Sequence, residues 1–295
     1  MRDDARLPPT ERSNAASREL EDRPTLAILE IMNREDARVA GAVGATLPAI
    51  AEAVDTIANR LGRGGRLIYL GAGTSGRMGT MEAAEAPPTF GVGPDTVIGV
   101  IAGGSGAVAG AREGAEDDAE AGAVEVRRLE VGAADVLVGV SASGRTPFVL
   151  AAVAEAAARG ASTIGICCDD GAPLAVVTDI AICPMVGPEV LAGSTRLKAG
   201  TAQKLVLNML TTAAMIRLGR VHGNLMIDVR PTNAKLRDRA RRIVAEISGA
   251  SEADVATALA ETGWSARAAI LMLSRGMTAE QAHAALEDEI EHGHG

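Results

Sequence analysis

Arg66-Leu67-Ile68-Tyr69-Leu70 runs into Gly71-Ala72-Gly73-Thr74-Ser75-Gly76, and a helical stretch opens at Arg77-Met78-Gly79-Thr80-Met81-Glu82. An apolar run that ends in a glycine-rich turn before a helix reads as a strand, turn and helix of an α/β fold. The chain repeats the device: Val136-Leu137-Val138-Gly139-Val140 leads into Ser141-Ala142-Ser143-Gly144-Arg145-Thr146, with Pro147 suited to a first helical position. Backbone N–H groups at a helix start, joined by hydroxyls, form an anion site that favours phosphate over a neutral ligand. Two such loops point first to phosphosugar chemistry.

Outward from these loops, short β-rich runs at 66–70, 96–102, 135–140, 162–167 and 179–183 alternate with helical patterns that begin near 76, 106 and 147. That alternation predicts a parallel sheet covered on both faces. Upstream, from Thr25 to about Leu61, apolar positions recur at helical spacing, with Pro48 marking a break or a new first turn. Residues 1–24 are polar and punctuated by Pro8, Pro9 and Pro24, the pattern of an irregular, mobile arm. After Gly193, Ser194-Thr195-Arg196-Leu197-Lys198-Ala199-Gly200-Thr201-Ala202-Gln203-Lys204 leads into a long apolar helix, about 202–218, a third hydroxyl-rich helix start.

Past Pro231, Lys235, Arg237, Arg239, Arg241 and Arg242 read as the solvated face of a basic helix. From Ser248 the composition shifts to short Ala-rich helices broken at Gly263 and Gly276. Their Thr262-Gly263-Trp264 and Ala268-Ala269-Ile270 resemble a ubiquitin-associated three-helix fold. The expected division is 1–56 for the arm and N-terminal helices, 57–220 for the sheet domain, 221–247 for a linking helix and 248–295 for a small helical appendage.

Composition bounds the function. The chain of 295 residues is long enough for a full core, yet holds one Tyr, one Trp and two Phe, so that core is aliphatic and base stacking is excluded as a main device. A net charge of −9 disfavours a nucleic-acid partner, which needs a clustered basic surface, and leaves room for a small anionic substrate. Cys167, Cys168 and Cys183, odd in number and set beside apolar segments, read as buried thiols rather than a disulfide framework or a metal site. There is neither a charged stretch followed by an apolar leader nor an apolar run of ~20 residues, so the expectation is a cytoplasmic protein away from the membrane. His222 and His283 have no nearby partners, and the tail pair His292 and His294 gives no metal site, so no metal is expected.

Gly71-Ala72-Gly73-Thr74-Ser75-Gly76 also fits the dinucleotide fingerprint G-x-G-x-x-G. That reading requires an acidic residue after the next strand, which instead ends Val100-Ile101-Ala102-Gly103-Gly104. Helix capping alone explains one Ser/Thr cluster; three clusters at helix starts, each rich in glycine, argue for a ligand. The hydroxyl-rich loops resemble the sugar isomerase (SIS) domain, in which Ser and Thr bind a sugar phosphate, and imply a flavodoxin-like parallel sheet. Two carboxylates stand out. Glu85 precedes Pro87 and Pro88, which should end its helix at once and leave it at the unfavourable end of the dipole. Glu116 lies in the acidic run Glu113-Gly114-Ala115-Glu116-Asp117-Asp118.

Taken together, Glu11–Ser17, Gly71–Gly91 with its Glu-Ala-Pro-Pro-Thr, Ile101–Gly104, Glu113–Asp118, Ser141–Pro147, Gly193–Lys204 and His222-Gly223-Asn224-Leu225-Met226 resemble the N-acetylmuramic acid 6-phosphate etherase family along nearly the whole chain. By that resemblance Glu85 matches the family's proton-donor glutamate and Glu116 its second active-site glutamate. The resemblance implies a lyase that expels D-lactate from C3 of the sugar by β-elimination and then adds water. That chemistry requires two proton-transfer groups and a phosphate anchor, with no metal and no redox cofactor. The expected anchor comprises Gly73, Thr74, Ser75, Gly76, Ser141, Ser143, Gly144, Thr146, Ser194, Thr195 and Lys198. Glu85 lies 85 − 75 = 10 residues beyond Ser75, ~15 Å along an unbroken helix, which leads to the expectation of a bend near Gly79 or of a homodimer with shared sites. The rival readings are a non-catalytic phosphosugar sensor of the kind related to glucokinase regulatory protein, and an aldose–ketose isomerase.

Overall fold

Each apolar run becomes a strand. In the computed structural model, which describes residues 7–292 apart from 111, 230 and 232, β1 is Leu67–Gly71, β2 Val97–Ile101, β3 Val136–Val140, β4 Ser162–Ile166 and β5 Ile180–Ile182. Neighbouring strands pair in parallel in the order β2-β1-β3-β4-β5. β1 and β3 are buried along their whole length, as a parallel sheet covered on both faces demands. The chain leaves β1 for β2 on one side and returns to β3 on the other, so a topological switch point lies between β1 and β3. The register sets Gly71 level with both Ile101 and Val140, and the ends of the three strands coincide there.

The helices are α1 Thr25–Asp36, α2 Val39–Gly44, α3 Leu47–Leu61, α4 Gly73–Phe90, α5 Gly106–Ala109, α6 Ala119–Arg128, α7 Pro147–Ala158, α8 Pro173–Val177, α9 Lys198–Arg217, α10 Ala234–Ser248, α11 Glu252–Glu261, α12 Ala266–Arg275 and α13 Ala279–His292. Pro48 sits in the first turn of α3, whose Ile50, Ala53, Val54 and Ile57 form a buried stripe at i, i+3, i+4 and i+7. Alternate residues of β1 face opposite ways. Ile68 and Leu70 join Leu137 and the α7 residues Phe148, Val149 and Val153 in one core. Tyr69 turns to the other face and meets Thr211 of α9, hydroxyl to hydroxyl at 2.7 Å.

The chain separates into two compact units, one running up to Ala84 and taking in Val97–Thr211, the other comprising Glu85–Thr96 and the chain from Thr212 onward. These divide the chain elsewhere than the four segments the sequence suggests. In the second unit, Ala240 and Val244 of α10 pack with Val255, Ala258 and Leu259 of α11 and Ala266 and Ala269 of α12. The core of the C-terminal helices is therefore shared with α10 rather than closed by three helices alone. The basic face of α10 is not wholly solvated: the Arg237 and Arg241 guanidiniums lie over the Trp264 ring, 5.1 and 5.0 Å from its centroid.

Three further expectations change. Pro87 and Pro88 do not end α4, which continues to Phe90. The prolines deprive the Ala83 and Ala84 carbonyls of their i+4 donors, but burial of Ala86 and Phe90 and a 3.0 Å bond from Gly91 N–H to the Pro87 carbonyl hold the turn. The arm is docked rather than loose over its described part. Thr10 is fully buried and its carbonyl accepts Gly193 N–H, Asn14 donates to the Pro188 carbonyl, and the Ser17 hydroxyl donates to the Val190 carbonyl at 2.7 Å. Helix α9 starts at Lys198, earlier than expected, because a carboxylate caps it. Cys167, Cys168 and Cys183 are free thiols; Cys167 and Cys168 are buried and Cys183 partly so, with Cys167 and Cys183 sulfurs 3.5 Å apart. No single helix among the described residues is long and apolar enough to cross a membrane.

Candidate functional site

The first turn of α4 lies against the ends of β1 and β2 because residue 76 is glycine: a Cβ there would sit 2.6 Å from the Gly71 carbonyl oxygen and 2.7 Å from Ile101 Cγ1. This close approach places the free N–H groups of α4 at the switch point, with Gly73 exposed, Thr74 half-buried and Ser75 buried. The Ser75 hydroxyl donates to Oε1 of Gln203 on α9 at 3.0 Å.

β3 delivers the second loop beside it. Gly144 takes φ +64, and a Cβ on it would come within 2.5 Å of Ala172 Cβ, so glycine is required twice over. Its N–H returns to Ser141, 3.1 Å from the hydroxyl and 3.0 Å from the carbonyl. The loop closes on itself and gathers three hydroxyls: Ser141 Oγ is 2.8 Å from Thr146 Oγ1 and 3.5 Å from Ser143 Oγ. Thr146 is the N-cap residue of α7, yet its side chain makes no capping bond. Capping therefore does not account for this cluster. Arg145 is held beside it, its guanidinium donating to the Ser143 carbonyl at 2.8 Å and to Asp169 at 2.7 Å.

The third helix start is different. The Lys198 and Ala199 N–H groups of α9 donate to the two carboxylate oxygens of Glu189, at 3.0 and 2.9 Å, and Glu189 is fully buried. Burial pushes its carboxyl above the usual range even though both N–H bonds and the Lys198 charge favour the ionised form. An anion of the protein already fills this terminus. Lys198 is likewise engaged: its ammonium donates to Glu35 at 2.6 Å, and the side chain is 1% exposed. Burial alone would raise the Glu35 carboxyl, but bonds from Lys198 and Asn14 and the charges of Lys198 and Arg38 outweigh it and hold the carboxyl below its usual value. Lys198 is thus a structural cation rather than an open phosphate anchor. Ser194 and Thr195 lie in the turn ahead of it and enter the fold through backbone bonds, Ser194 N–H to Leu191 and Thr195 N–H to Gly193.

Glu116 lies exposed in a 3-10 turn, Ala115–Asp117, entered through Gly114 at φ +72. The following helix α6 is capped by Asp118, which accepts Ala121 N–H, so one acid of the run has a structural task. The turn packs against α7, whose start follows the Ser141–Thr146 loop, and Gly122 of α6 lets the Phe148 carbonyl approach a would-be Cβ to 2.0 Å. Glu116 thus stands on a segment packed beside the helix that the second hydroxyl loop opens. Glu85 is exposed on α4, five residues before its last residue, so it is not at the helix C-terminus that the prolines suggested.

Residues 49–157 match the glucokinase regulatory protein N-terminal SIS domain, and residues 120–213 match the SIS domain. An N-acetylmuramic acid 6-phosphate etherase of Aeromonas hydrophila is 52% identical over 278 residues, 94% of this chain and 93% of the relative. One of Yersinia pestis is 53% identical over 273 residues, 92% of each. The chain belongs to the N-acetylmuramic acid 6-phosphate etherase family. A phosphoheptose isomerase of Francisella tularensis superposes at a TM-score of 0.53 with 20% identity, covering 66% of this chain and all of that one, which places this etherase-family chain in the SIS fold.

Sequence reasoning missed Gln203, Glu35 and Glu189. Gln203 carried a signal: it is a polar residue within the apolar stripe Ala199, Ala202, Val206, Leu207 and Leu210, all buried. Glu35 carried none, since it meets Lys198 across most of the chain. Glu189 stands only nine residues before Lys198, but its place in Gly187-Pro188-Glu189-Val190 gives no sign that it turns back onto the start of α9.

Proposed function

We propose that the chain is a lyase that cleaves the D-lactyl ether of N-acetylmuramic acid 6-phosphate, giving N-acetylglucosamine 6-phosphate and D-lactate, in the recycling of cell-wall amino sugars. The observation that carries this reading is the likeness to etherases over more than nine-tenths of the chain. It is joined by two hydroxyl loops opening at one switch point.

In the open-chain sugar the C1 aldehyde acidifies the C2 proton. Glu116 takes that proton, and the electron pair left behind expels the lactyl oxygen from C3. Glu85 protonates the oxygen as it leaves, so no alkoxide is released. The product is a C2–C3 double bond conjugated to the aldehyde; water adds to C3, and C2 regains a proton. The sum is one ether and one water converted to one alcohol and one lactate. Thr74, Ser75, Ser141, Ser143 and Thr146, with the N–H groups opening α4 and α7, hold the 6-phosphate, and this anchoring turns proton transfer at C2 and C3 into a positioned event.

The working assembly is a homodimer. Leu26 and Leu29, one turn apart on α1, are 69% and 54% exposed, and an apolar face of this kind suits a second copy of the chain. Three free thiols suit a reducing compartment, the cytoplasm. Leu26→Asp with Leu29→Asp should convert a sedimenting dimer to a monomer. If Glu85 and the phosphate loops of one site come from different chains, mixing Glu85→Gln with Ser143→Ala protein should restore activity.

The deciding experiment is D-lactate release from N-acetylmuramic acid 6-phosphate by the purified protein, with N-acetylglucosamine 6-phosphate formed in equal amount. Phosphosugar binding without lactate would make the chain a sensor. Aldose–ketose interconversion would make it an isomerase.

A further inference from the structure

Gln203 is 1% exposed, and its Nε2 is buried with no hydrogen-bond partner. An amide donor left open in a core is costly, and each one in a folded chain calls for a reason. Two turns further along α9, the buried Thr211 hydroxyl is paired with Tyr69 at 2.7 Å, and at the head of the helix the buried Lys198 ammonium is paired with Glu35. Gln203 is closed on one side only, through the Ser75 hydroxyl at its Oε1.

The Ser75 hydroxyl has a single proton. Directed at Oε1, that proton is withheld from any anion at the start of α4. A half-turn of the Gln203 amide exchanges its two ends. Nε2 then donates to Ser75 Oγ, and the Ser75 proton is free to point at the helix start. The exchange also replaces a buried, unpaired N–H donor by a carbonyl oxygen, the group more readily left without a full set of partners.

We propose that Gln203 is the positioning residue for Ser75: with a phosphosugar bound, its amide donates to Ser75 Oγ and makes that hydroxyl a donor to the phosphate. This inference rests on the reading of the α4 start as part of the phosphate anchor. Gln203 acts through Ser75 and touches no reacting atom.

The test compares wild type, Gln203→Met, Gln203→Glu, Ser75→Ala and the double variant Gln203→Met/Ser75→Ala in lactate release. Gln203→Met, which fills the same space without a donor, should raise KM about tenfold and leave kcat within about twofold, because the lost bond serves binding. The double variant should equal Ser75→Ala alone, since without the hydroxyl the amide has nothing to orient. Gln203→Glu should lose more at alkaline pH than near its own pKa, where the protonated acid again donates. A purely structural Gln203 would instead shift the thermal midpoint and leave KM alone. Wild-type KM in Gln203→Met, or losses that multiply in the double variant, would overturn the proposal. If the wild type releases no lactate, the functional reading falls, and the Gln203 inference is read from N-acetylglucosamine 6-phosphate binding by calorimetry, where Gln203→Met should bind about tenfold more weakly and equal affinity would sink it.

Discussion

The Nζ of Lys198 lies 2.6 Å from Oε2 of Glu35, and the two side chains are 1% and 6% exposed. This pair ties the first residue of α9 to α1. Asn14 of the arm donates to the same carboxylate oxygen at 2.9 Å, so one buried charge pair fastens three segments distant in sequence.

Removing one partner should cost far more than removing both. Lys198→Met leaves Glu35 buried and short of its cation and is expected to destabilise the fold by about 3–5 kcal/mol. Lys198→Met combined with Glu35→Met should recover most of that loss. Urea unfolding of the two variants against wild type decides it, and equal losses in both would contradict a charge-burial origin.

The same carboxylate gives an acid-side pH dependence. With its folded pKa held below the usual 4.5, Glu35 contributes stability that is complete above that value and is lost as pH falls through the folded pKa. Glu189, raised by burial, has the opposite slope and contributes most at low pH. Comparing wild type with Glu35→Gln at about pH 7 and about pH 4 isolates the first effect, because Glu189 is common to both. The variant should show the weaker loss on acidification; parallel losses would exclude Glu35 as the source.

Phosphate anchoring predicts a binding defect. Ser143→Ala removes one hydroxyl from the trio with Ser141 and Thr146 and should weaken substrate binding by about 1–3 kcal/mol with little change in kcat. Steady-state kinetics separates the two. Turnover of unphosphorylated N-acetylmuramic acid as fast as its 6-phosphate would refute the anchor.

The sheet was legible because each strand is a short apolar run, and a parallel strand buried on both faces needs nothing else to announce it. The loops after β1 and β3 were legible for a related reason: glycines where backbones touch, hydroxyls where helices start. The start of α9 shows the limit. A Ser/Thr-rich turn before a helix reads the same whether a ligand or the protein's own Glu189 supplies the anion. Although Glu189 stands only nine residues before Lys198, an acidic residue in a connecting segment does not by itself reveal that it folds back as the cap. Pro87 and Pro88 mislead in the other direction, since local backbone preference says stop while burial of Ala86 and Phe90 carries the helix on.

Chemistry should separate from binding at the two glutamates. Glu85→Gln and Glu116→Gln keep shape but remove the transferable proton or the base, so kcat should fall by about 10²–10⁴ with substrate affinity nearly unchanged. Isothermal titration beside initial rates measures both. Wild-type turnover in either variant would return that residue to the solvated surface.

Glu189 at the head of α9 sets a stoichiometry. Of the three helix starts that the sequence marks as hospitable to anions, one carries its own permanent carboxylate and cannot trade it for a solute ion. The other two, after β1 and β3, open at one switch point and together hold one phosphate in the proposed site, so inorganic phosphate should saturate at one ion per chain and inhibit as a simple competitor of the sugar phosphate with no second, uncompetitive component.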